Sequence, residues 1–359
     1  MLVTLPKTQR EFFLEKLSMF RELIPKFEQM NNQKWSTYTR TRQQMINLEI
    51  SNYTGTYNHL NGQKNPGVSP LDLARAMITV GQGSWGDVYN LGIFRIGELL
   101  CKTLAFCEID NGNLIMQNRF YNLNQSEKAT VSYYFGQGLT KLYAERYFNI
   151  KWLFHVDDYL NQIQFHSNGI ANSKIIVGKT NKTAKRPDLI GLERANNSHI
   201  FEAKGNSGGY NTGIMQHAIN QVSQINTYNG VAPLTRTACY FDLSNTPIKG
   251  IIIDPENEGK GINIELNERE AILKYYSFFR ENRKFFTQSY KIDNYNYLTT
   301  PVGVPNIYFG FDERILNLSP TEILEKGLYP KGWVSEQRIK NDNIEVSVGL
   351  DGILLMNRK

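Results

Sequence analysis

Three charged residues border two short apolar stretches in the middle of the chain, and their types and spacing could hold a metal ion. Asp188 precedes the apolar run Leu189–Leu192, and Glu202 and Lys204 follow a second one. The cluster Arg194–Ser198 between the two runs is typical of a turn, so we expect a hairpin. Side chains two apart on a strand point to the same face, which places Glu202 beside Lys204. The hairpin would bring Asp188 to both of them.

Two carboxylates and an amine gathered at the edge of an apolar sheet suit the hydrolysis of a phosphodiester. That reaction needs a hard cation that neutralises the phosphate and generates hydroxide near neutral pH. Mg²⁺ is held in proteins by one or two carboxylates and keeps several waters. A neighbouring lysine can orient the attacking water or stabilise the charge of the transition state. The alternative is an exposed hairpin with an ion pair between Asp188 and Lys204, because short motifs also occur without function.

These residues resemble the motif of the PD-(D/E)XK nuclease superfamily. Pro187-Asp188 matches its PD, and Glu202-Ala203-Lys204 matches its ExK. The resemblance covers only the middle part of the chain, and it implies that Asp188, Glu202 and the carbonyl of Ala203 bind the metal. It implies Mg²⁺, with Mn²⁺ as a substitute, and a catalytic role for Lys204. It also implies an α/β fold with a restriction-endonuclease-like core, in which helices flank a mixed β-sheet.

A helix before the motif is expected to carry an assisting carboxylate. Ser126–Phe148 has the periodicity of a long helix, and Glu145 falls on its apolar stripe. A buried charge is costly, so Glu145 would need a partner or a metal. The resemblance implies a metal-linked glutamate at this place. A solvated glutamate near the end of the helix is the alternative.

A helix after the motif is expected to carry an assisting glutamine. Asn211–Tyr228 is predicted as a helix with Gln221, Gln224 and Tyr228 on one face. Gln224 and Tyr228 resemble the QxxxY pattern of the RecB-like branch of the superfamily, where the glutamine positions the lysine or the substrate. Gln221 lies one turn earlier and competes for this role. For either glutamine, a solvated helix face is the alternative.

The charge balance favours a polyanionic partner. The formal net charge is +6, with a pI near 9.0. A basic loop just ahead of Asp188 includes Lys182, Lys185 and Arg186, which we expect to follow a nucleic-acid backbone. A solvated basic loop is the alternative. The expected partner is DNA, double-stranded rather than single-stranded, and a homodimer remains open.

The composition also indicates where the protein works. Three cysteines are too few for a disulfide framework, which predicts a reducing compartment. The N-terminus becomes charged too soon for a signal peptide. The most apolar segment, Leu91–Cys107, contains Arg95, Glu98 and Lys102 and is too charged for a membrane span. We therefore expect a cytoplasmic protein, in a prokaryotic cytosol, with no membrane partner.

Three regions are predicted along the chain. Residues 1–125 are expected to be mostly helical, beginning with a helix over Glu11–Phe27. Residues 126–260 would form the nuclease core, with Ile163–Val177 among its first strands and Thr235–Leu243 and Lys249–Asp254 as its closing strands. Residues 261–359 would form an α+β extension. Either flanking region could recognise a DNA sequence, a DNA shape or a partner protein.

The expected function is a Mg²⁺-dependent endonuclease that hydrolyses DNA, as in a type II restriction endonuclease or a related defence nuclease. A repair or antiviral nuclease, or a non-catalytic nucleic-acid-binding module on the same fold, remains open. A rival match to the esterase motif G-x-S-x-G lies at Gly205–Gly209, but only His217 follows Ser207 and it lies on the next helix. The five histidines lack the spacing of zinc ligands.

Overall fold

The protein is a mixed α/β fold with a large mixed sheet and several helices, which confirms the coarse part of the predicted class. The computed structural model describes residues 45–80, 93–167, 186–256, 261–330 and 344–358. The predicted helix Glu11–Phe27 and the predicted DNA contacts Lys182 and Lys185 lie outside these residues.

The described helices and strands are numbered in chain order. The helices are α1 (Pro70–Thr79), α2 (Ile93–Phe106), α3 (Asn118–Tyr121), α4 (Gln125–Phe148), α5 (Thr212–Ser223), α6 (Glu268–Glu281) and α7 (Pro320–Lys326). The strands are β1 (Asn47–Ser51), β2 (Gly62–Lys64), β3 (Cys107–Asp110), β4 (Asn113–Met116), β5 (Trp152–His155), β6 (Ile163–Ser167), β7 (Leu189–Arg194), β8 (Asn197–Asn206), β9 (Ile225–Tyr228), β10 (Thr235–Asp242), β11 (Lys249–Ile253), β12 (Ile262–Leu266), β13 (Gln288–Ile292), β14 (Tyr295–Pro301), β15 (Ile307–Asp312), β16 (Ile344–Val348) and β17 (Ile353–Arg358). Among the helices described, none combines the length and apolarity that a bilayer crossing needs.

The main sheet has seven strands in the order β2-β1-β11-β10-β8-β7-β5. The pairs β1–β11 and β8–β10 are parallel and the other pairs are antiparallel. The predicted closing strands β10 and β11 lie in this sheet. Two of its strands, β1 and β2, come from the region before residue 126, so the predicted boundary at that residue does not coincide with an edge of the sheet.

A three-stranded sheet, β6-β12-β9, corrects two sequence expectations. The sequence predicts Ile163–Val177 among the first strands of the core, but β6 pairs with β12 in this smaller sheet. Strand β9 takes residues predicted to continue a helix to Tyr228, because α5 ends at Ser223. The chain is held extended there by Arg236, whose Nε donates to the carbonyl of Ile225 at 2.5 Å. A five-stranded sheet, β13-β14-β15-β17-β16, forms most of the C-terminal region.

Helices α4 and α5 cover opposite faces of β8. On the α4 side, Phe148 packs against the rings of His199 and Phe201, at centroid distances of 4.8 and 5.9 Å. Alternation sends Glu202, Lys204 and Asn206 to the other face. There Tyr240 of β10, which is register-paired with Lys204, accepts a hydrogen bond from Asn206 at 2.7 Å, and the loop that leads into α5 passes over it. The main sheet is therefore sandwiched between helices, and the charged face of β8 lies on the α5 side.

A buried ionic network joins three parts of the chain. Arg75 of α1 donates to both carboxylate oxygens of Glu145 on α4, at 3.2 and 2.7 Å. Lys141 lies 3.2 Å from Glu145 and 3.3 Å from Asp351 in the β16–β17 turn. Tyr275 of α6 donates to Asp351 at 2.7 Å. Burial alone would lower the pKa of Arg75, but Glu145 raises it above its ordinary value, so the guanidinium stays charged.

The close approach of α4 to β8 gives a stability prediction at Gly205. A Cβ atom there would lie 1.9 Å from the carbonyl oxygen of Ser132, so Gly205→Ala must displace the helix. We expect a loss of about 3 kcal/mol in the free energy of unfolding, the upper range for overpacking, measured by urea denaturation. Gly208→Ala is the matched control, since its Cβ would meet only the Asn206 side chain, at 3.7 Å. Equal stability of the two variants would contradict the packing described here.

Candidate active site

The β7–β8 hairpin brings together the residues of the sequence motif. Its strands pair antiparallel with Leu189 opposite Phe201, so Asp188 stands opposite Glu202 on the same face. The turn lies within the predicted cluster and places Asn196 at φ +60°, a left-handed conformation that asparagine tolerates better than most residues. The hairpin predicted from the sequence is confirmed.

Direct contacts link the three charged residues. The backbone nitrogen of Asp188 donates to Oε2 of Glu202 at 2.8 Å, and the backbone nitrogen of Ala203 donates to Oδ2 of Asp188 at 3.2 Å. The ammonium of Lys204 lies 3.5 Å from the same Oδ2 and also contacts Oε1 of Glu202. The two carboxylates and the amine therefore form one cluster, with Lys204 between the acids.

The cluster carries one positive charge for two carboxylates, and its members differ in exposure. The side chain of Glu202 is fully buried, whereas those of Lys204 and Asp188 are 26% and 22% exposed. Burial, reinforced by the charge of Asp188, raises the pKa of Glu202 to about 8. For Lys204, burial alone would lower the pKa, but Asp188 and Glu202 raise it above its ordinary value. Lys204 is thus a cation at neutral pH, and Glu202 holds its proton unusually tightly.

The donor set fits a hard divalent cation. Asp188 and Glu202 offer carboxylate oxygens, the ligands that Mg²⁺ prefers. The carbonyl of Ala203 points to the side of β8 to which its N–H points, toward Asp188, because both groups of a strand residue face the same neighbour. The raised pKa of Glu202 marks a place short of positive charge, which such a cation would correct. Within the described ranges, no group of three or more His, Cys, Asp or Glu side chains is arranged for a metal. Two side-chain carboxylates are therefore the acidic ligands on offer.

Glu145 is not brought to this cluster, which corrects its predicted role as a metal ligand. A Cβ on Gly136 of α4 would come within 2.6 Å of the Gly205 nitrogen, next to Lys204. Glu145 lies about 13 Å further along the helix at about 1.5 Å per residue. Both of its oxygens are held by Arg75. The sequence correctly indicated that a carboxylate on this apolar stripe needs a partner, and the partner is a guanidinium.

The two candidate glutamines differ in position. Gln221 lies on α5, and its Nε2 donates to the carbonyl of Arg186 at 2.8 Å, two residues before Asp188. Gln224 is the C-terminal cap of α5, beyond its last helical residue, so the helical face that was to carry the QxxxY pattern does not exist. Gln221 can therefore hold the chain that enters the cluster, and the predicted role of Gln224 loses its basis.

Arg186 is the described member of the predicted basic loop. Its Nη2 lies 2.8 Å from Oδ1 of Asp157, and its side chain is 33% exposed. Its Nη1 is buried and has no hydrogen-bond partner among the described residues. Arg186 is therefore a partly exposed cation two residues before Asp188, and its pairing with Asp157 uses part of its charge.

Sequence reasoning missed His155 and Tyr133, which also lie at this edge of the sheet. His155 ends β5 and is register-paired with Leu189, and its Nε2 lies 2.9 Å from the hydroxyl of Tyr133 on α4. Burial lowers the pKa of His155, while Asp188 opposes this shift. The pairing of β5 with β7 across a long connection brings His155 to this place and leaves no local signal in the sequence.

The cavities of the described residues lie toward the turn of the β7–β8 hairpin, at the end opposite to the cluster. Two adjoining cavities of about 310 and 500 Å³ share Asn229, Leu266 and Asn267 in their walls. Neither is lined by Asp188 or by Lys204. Solvent therefore reaches the cluster through the exposed parts of its own side chains.

No known family model, curated protein or solved structure matches the chain. The interpretation of the cluster therefore rests on its own geometry and chemistry. The features that matter are the register of the β7–β8 hairpin and the charges it gathers.

The pKa of Glu202 predicts how stability depends on pH. The unfolded chain releases this proton near its ordinary value of 4.5, but the folded protein holds it to about 8. The stabilising contribution is complete below about 4.5 and is lost as the pH rises through 8. We expect wild type without metal to lose up to about 1 kcal/mol of unfolding free energy per pH unit more than Glu202→Gln over this range. Urea denaturation in EDTA at pH 5.5, 7 and 8.5 measures the difference, and parallel pH profiles would refute it.

Proposed function

We propose that the protein is a Mg²⁺-dependent nuclease of the PD-(D/E)XK type that hydrolyses DNA phosphodiester bonds. One observation carries the proposal. The register of β7 and β8 places Asp188 opposite Glu202 with the ammonium of Lys204 in contact with both. A surface ion pair would not require one member to be fully buried with a strongly raised pKa, and perturbed groups of this kind are typical of functional sites.

The roles follow from the chemistry of each group. Asp188, Glu202 and the carbonyl of Ala203 would hold Mg²⁺, which would neutralise the phosphate and activate water. Lys204 remains charged because the acids raise its pKa, so it acts as a cation and not as a base. In that form it positions the attacking water and stabilises the additional negative charge of the transition state.

DNA as the substrate is supported by charge. The chain has a formal net charge of +6 and carries the partly exposed Arg186 two residues before Asp188. Double-stranded DNA is the substrate that we propose, with Mn²⁺ able to replace Mg²⁺. The corresponding role is that of a type II restriction endonuclease or a related defence nuclease, as the sequence resemblance implies.

The first test removes the amine. Lys204→Ala should lower the rate of Mg²⁺-dependent plasmid cleavage by at least about 100-fold, the loss typical of a transition-state donor. Lys249→Ala is the matched control, because Lys249 also pairs with a glutamate, Glu49 at 2.9 Å, but on β11, which β10 separates from β8. That variant should cut like wild type. Both proteins are checked for folding by circular dichroism and thermal unfolding.

The outcomes of this experiment separate the candidate functions. Cleavage by Lys204→Ala at the wild-type rate would contradict the catalytic role assigned to Lys204. DNA binding that needs no Mg²⁺, without any cleavage by wild type, would favour a non-catalytic nucleic-acid-binding module instead. Loss of cleavage on adding EDTA and its return with Mg²⁺ would support the nuclease.

The second test concerns the glutamine that holds the entering chain. Gln221→Ala removes the hydrogen bond to the Arg186 carbonyl and should loosen the position of Asp188. We expect kcat to fall roughly threefold to tenfold, equivalent to one hydrogen bond. Gln216→Ala is the control, since Gln216 lies on the same helix and donates to Asn220 at an exposed position. Equal kcat values for the two variants would show that Gln221 has no part in the site.

A further inference from the structure

A tyrosine and a histidine meet next to the candidate active site, although the motif assigns them no role. His155 ends β5 beside Leu189, and the nitrogen of the next residue, Val156, donates to the carbonyl of Asp188 at 2.9 Å. On α4, Ser132 lies against Gly205, which directly follows Lys204. Its neighbour Tyr133 reaches from there to His155. By this register His155 shares the α4 face of the sheet with Leu189, so the pair borders Asp188 at the strand ends, where the side chains of Asp188 and Lys204 are partly exposed.

The hydrogen bond between Tyr133 and His155 uses only one of the two protons that their polar groups carry. A neutral histidine carries one N–H and a tyrosine carries one O–H, so the two side chains have two protons between them. Their mutual contact at 2.9 Å uses one. The other stays on the Tyr133 hydroxyl or on Nδ1 of His155, and Nδ1 is buried with no partner among the described residues. An N–H on this buried atom would go unpaired, which is costly, so we place the histidine proton on Nε2, where it donates to the Tyr133 oxygen and leaves the hydroxyl proton for a ligand.

The surroundings of Tyr133 favour an uncharged donor. Tyr133 is 39% exposed, so solvent and substrate can reach it. Burial and the charge of Asp188 raise its pKa, and it keeps its proton at neutral pH. A lysine or arginine here would be drawn to Asp188, as Lys204 is. A neutral hydroxyl remains available for an oxygen that approaches the cluster from outside.

We propose that Tyr133, oriented by His155, donates a hydrogen bond to a non-bridging oxygen of the phosphodiester held at the Asp188–Glu202–Lys204 cluster. This inference rests on the nuclease proposed above and adds a substrate-binding residue to it. Tyr133 touches the phosphate, and His155 is a positioning residue that fixes the direction of the hydroxyl.

The test measures cleavage of a fluorescently labelled DNA duplex with Mg²⁺. Tyr133→Phe removes only a hydroxyl from an exposed ring and should lower kcat/KM roughly 10- to 100-fold, the range for one hydrogen bond to a charged group. Tyr134→Phe is the matched control, because that adjacent hydroxyl accepts a hydrogen bond from Arg95, at 2.7 Å, and should leave kcat/KM unchanged. Melting temperatures of both variants are compared with wild type.

The role of His155 is tested by rescue and by coupling. His155→Leu should match Tyr133→Phe, and adding it to Tyr133→Phe should cause little further loss, because the two act as a unit. His155→Gln retains a side-chain amide that can bond the hydroxyl and should recover most of the rate. Additive losses, or failure of His155→Gln to recover more than His155→Leu, would overturn the positioning role.

The cleavage assay also distinguishes failure of this inference from failure of the nuclease proposal. If wild type and Tyr134→Phe cut the duplex and Tyr133→Phe cuts it equally well, the tyrosine has no substrate contact and this inference alone fails. If neither wild type nor Tyr134→Phe cuts any DNA, the nuclease proposal fails and the inference fails with it. A lower melting temperature of Tyr133→Phe with unchanged kcat/KM would assign the pair a purely structural role.

Discussion

The register between β7 and β8 is the constraint on which the site depends. Because side chains alternate along a strand, a slip of one residue would send Glu202 and Lys204 to the opposite face, against α4. Asp188 would then face no carboxylate. The apolar residues fix the register, since Leu189 and Phe201 pair within the packed face under α4. The same burial that stabilises the hairpin thus positions the charges.

The Asp188–Glu202–Lys204 cluster concentrates negative charge in a largely buried position, where a charge is poorly solvated. Glu202 is fully buried and faces Asp188, and one lysine compensates for both. Burying a charge without full compensation opposes folding, so these residues are not explained by stability. Strain of this kind is common where a protein prepares a site for a charged ligand. It is the physical ground for the functional interpretation of this chain.

Local features of the fold could be predicted from the sequence, and long-range ones could not. The β7–β8 hairpin and the helix α4 follow from neighbouring residues, and the structure confirms both, with α4 over Gln125–Phe148. The end of α5 was missed because no glycine or proline marks Ser223, and a tertiary contact from Arg236 holds the next residues as a strand. Helical periodicity continues through Gln224 in the sequence although the helix does not.

The same difference between local and long-range features holds for the candidate site. Asp188, Glu202 and Lys204 lie within one hairpin, so turn and alternation were sufficient to group them. Glu145 was correctly expected to need a partner, but its partner Arg75 lies on another helix and has no local signature. His155 reaches the site through the pairing of β5 with β7, which a single sequence does not show.

The Arg75–Glu145–Lys141–Asp351 network makes the middle of the chain depend on both flanking regions. It ties α1, α4 and the turn between β16 and β17 through charges that are almost completely buried. The two cations and two carboxylates balance, so removing either end of the chain would leave one buried charge of the network uncompensated, which is far more costly than losing a surface pair. The segment with the carboxylates therefore cannot be excised as an autonomous unit. A chimera that exchanges the flanking regions must carry the matching charge from α1 and from the C-terminal turn together.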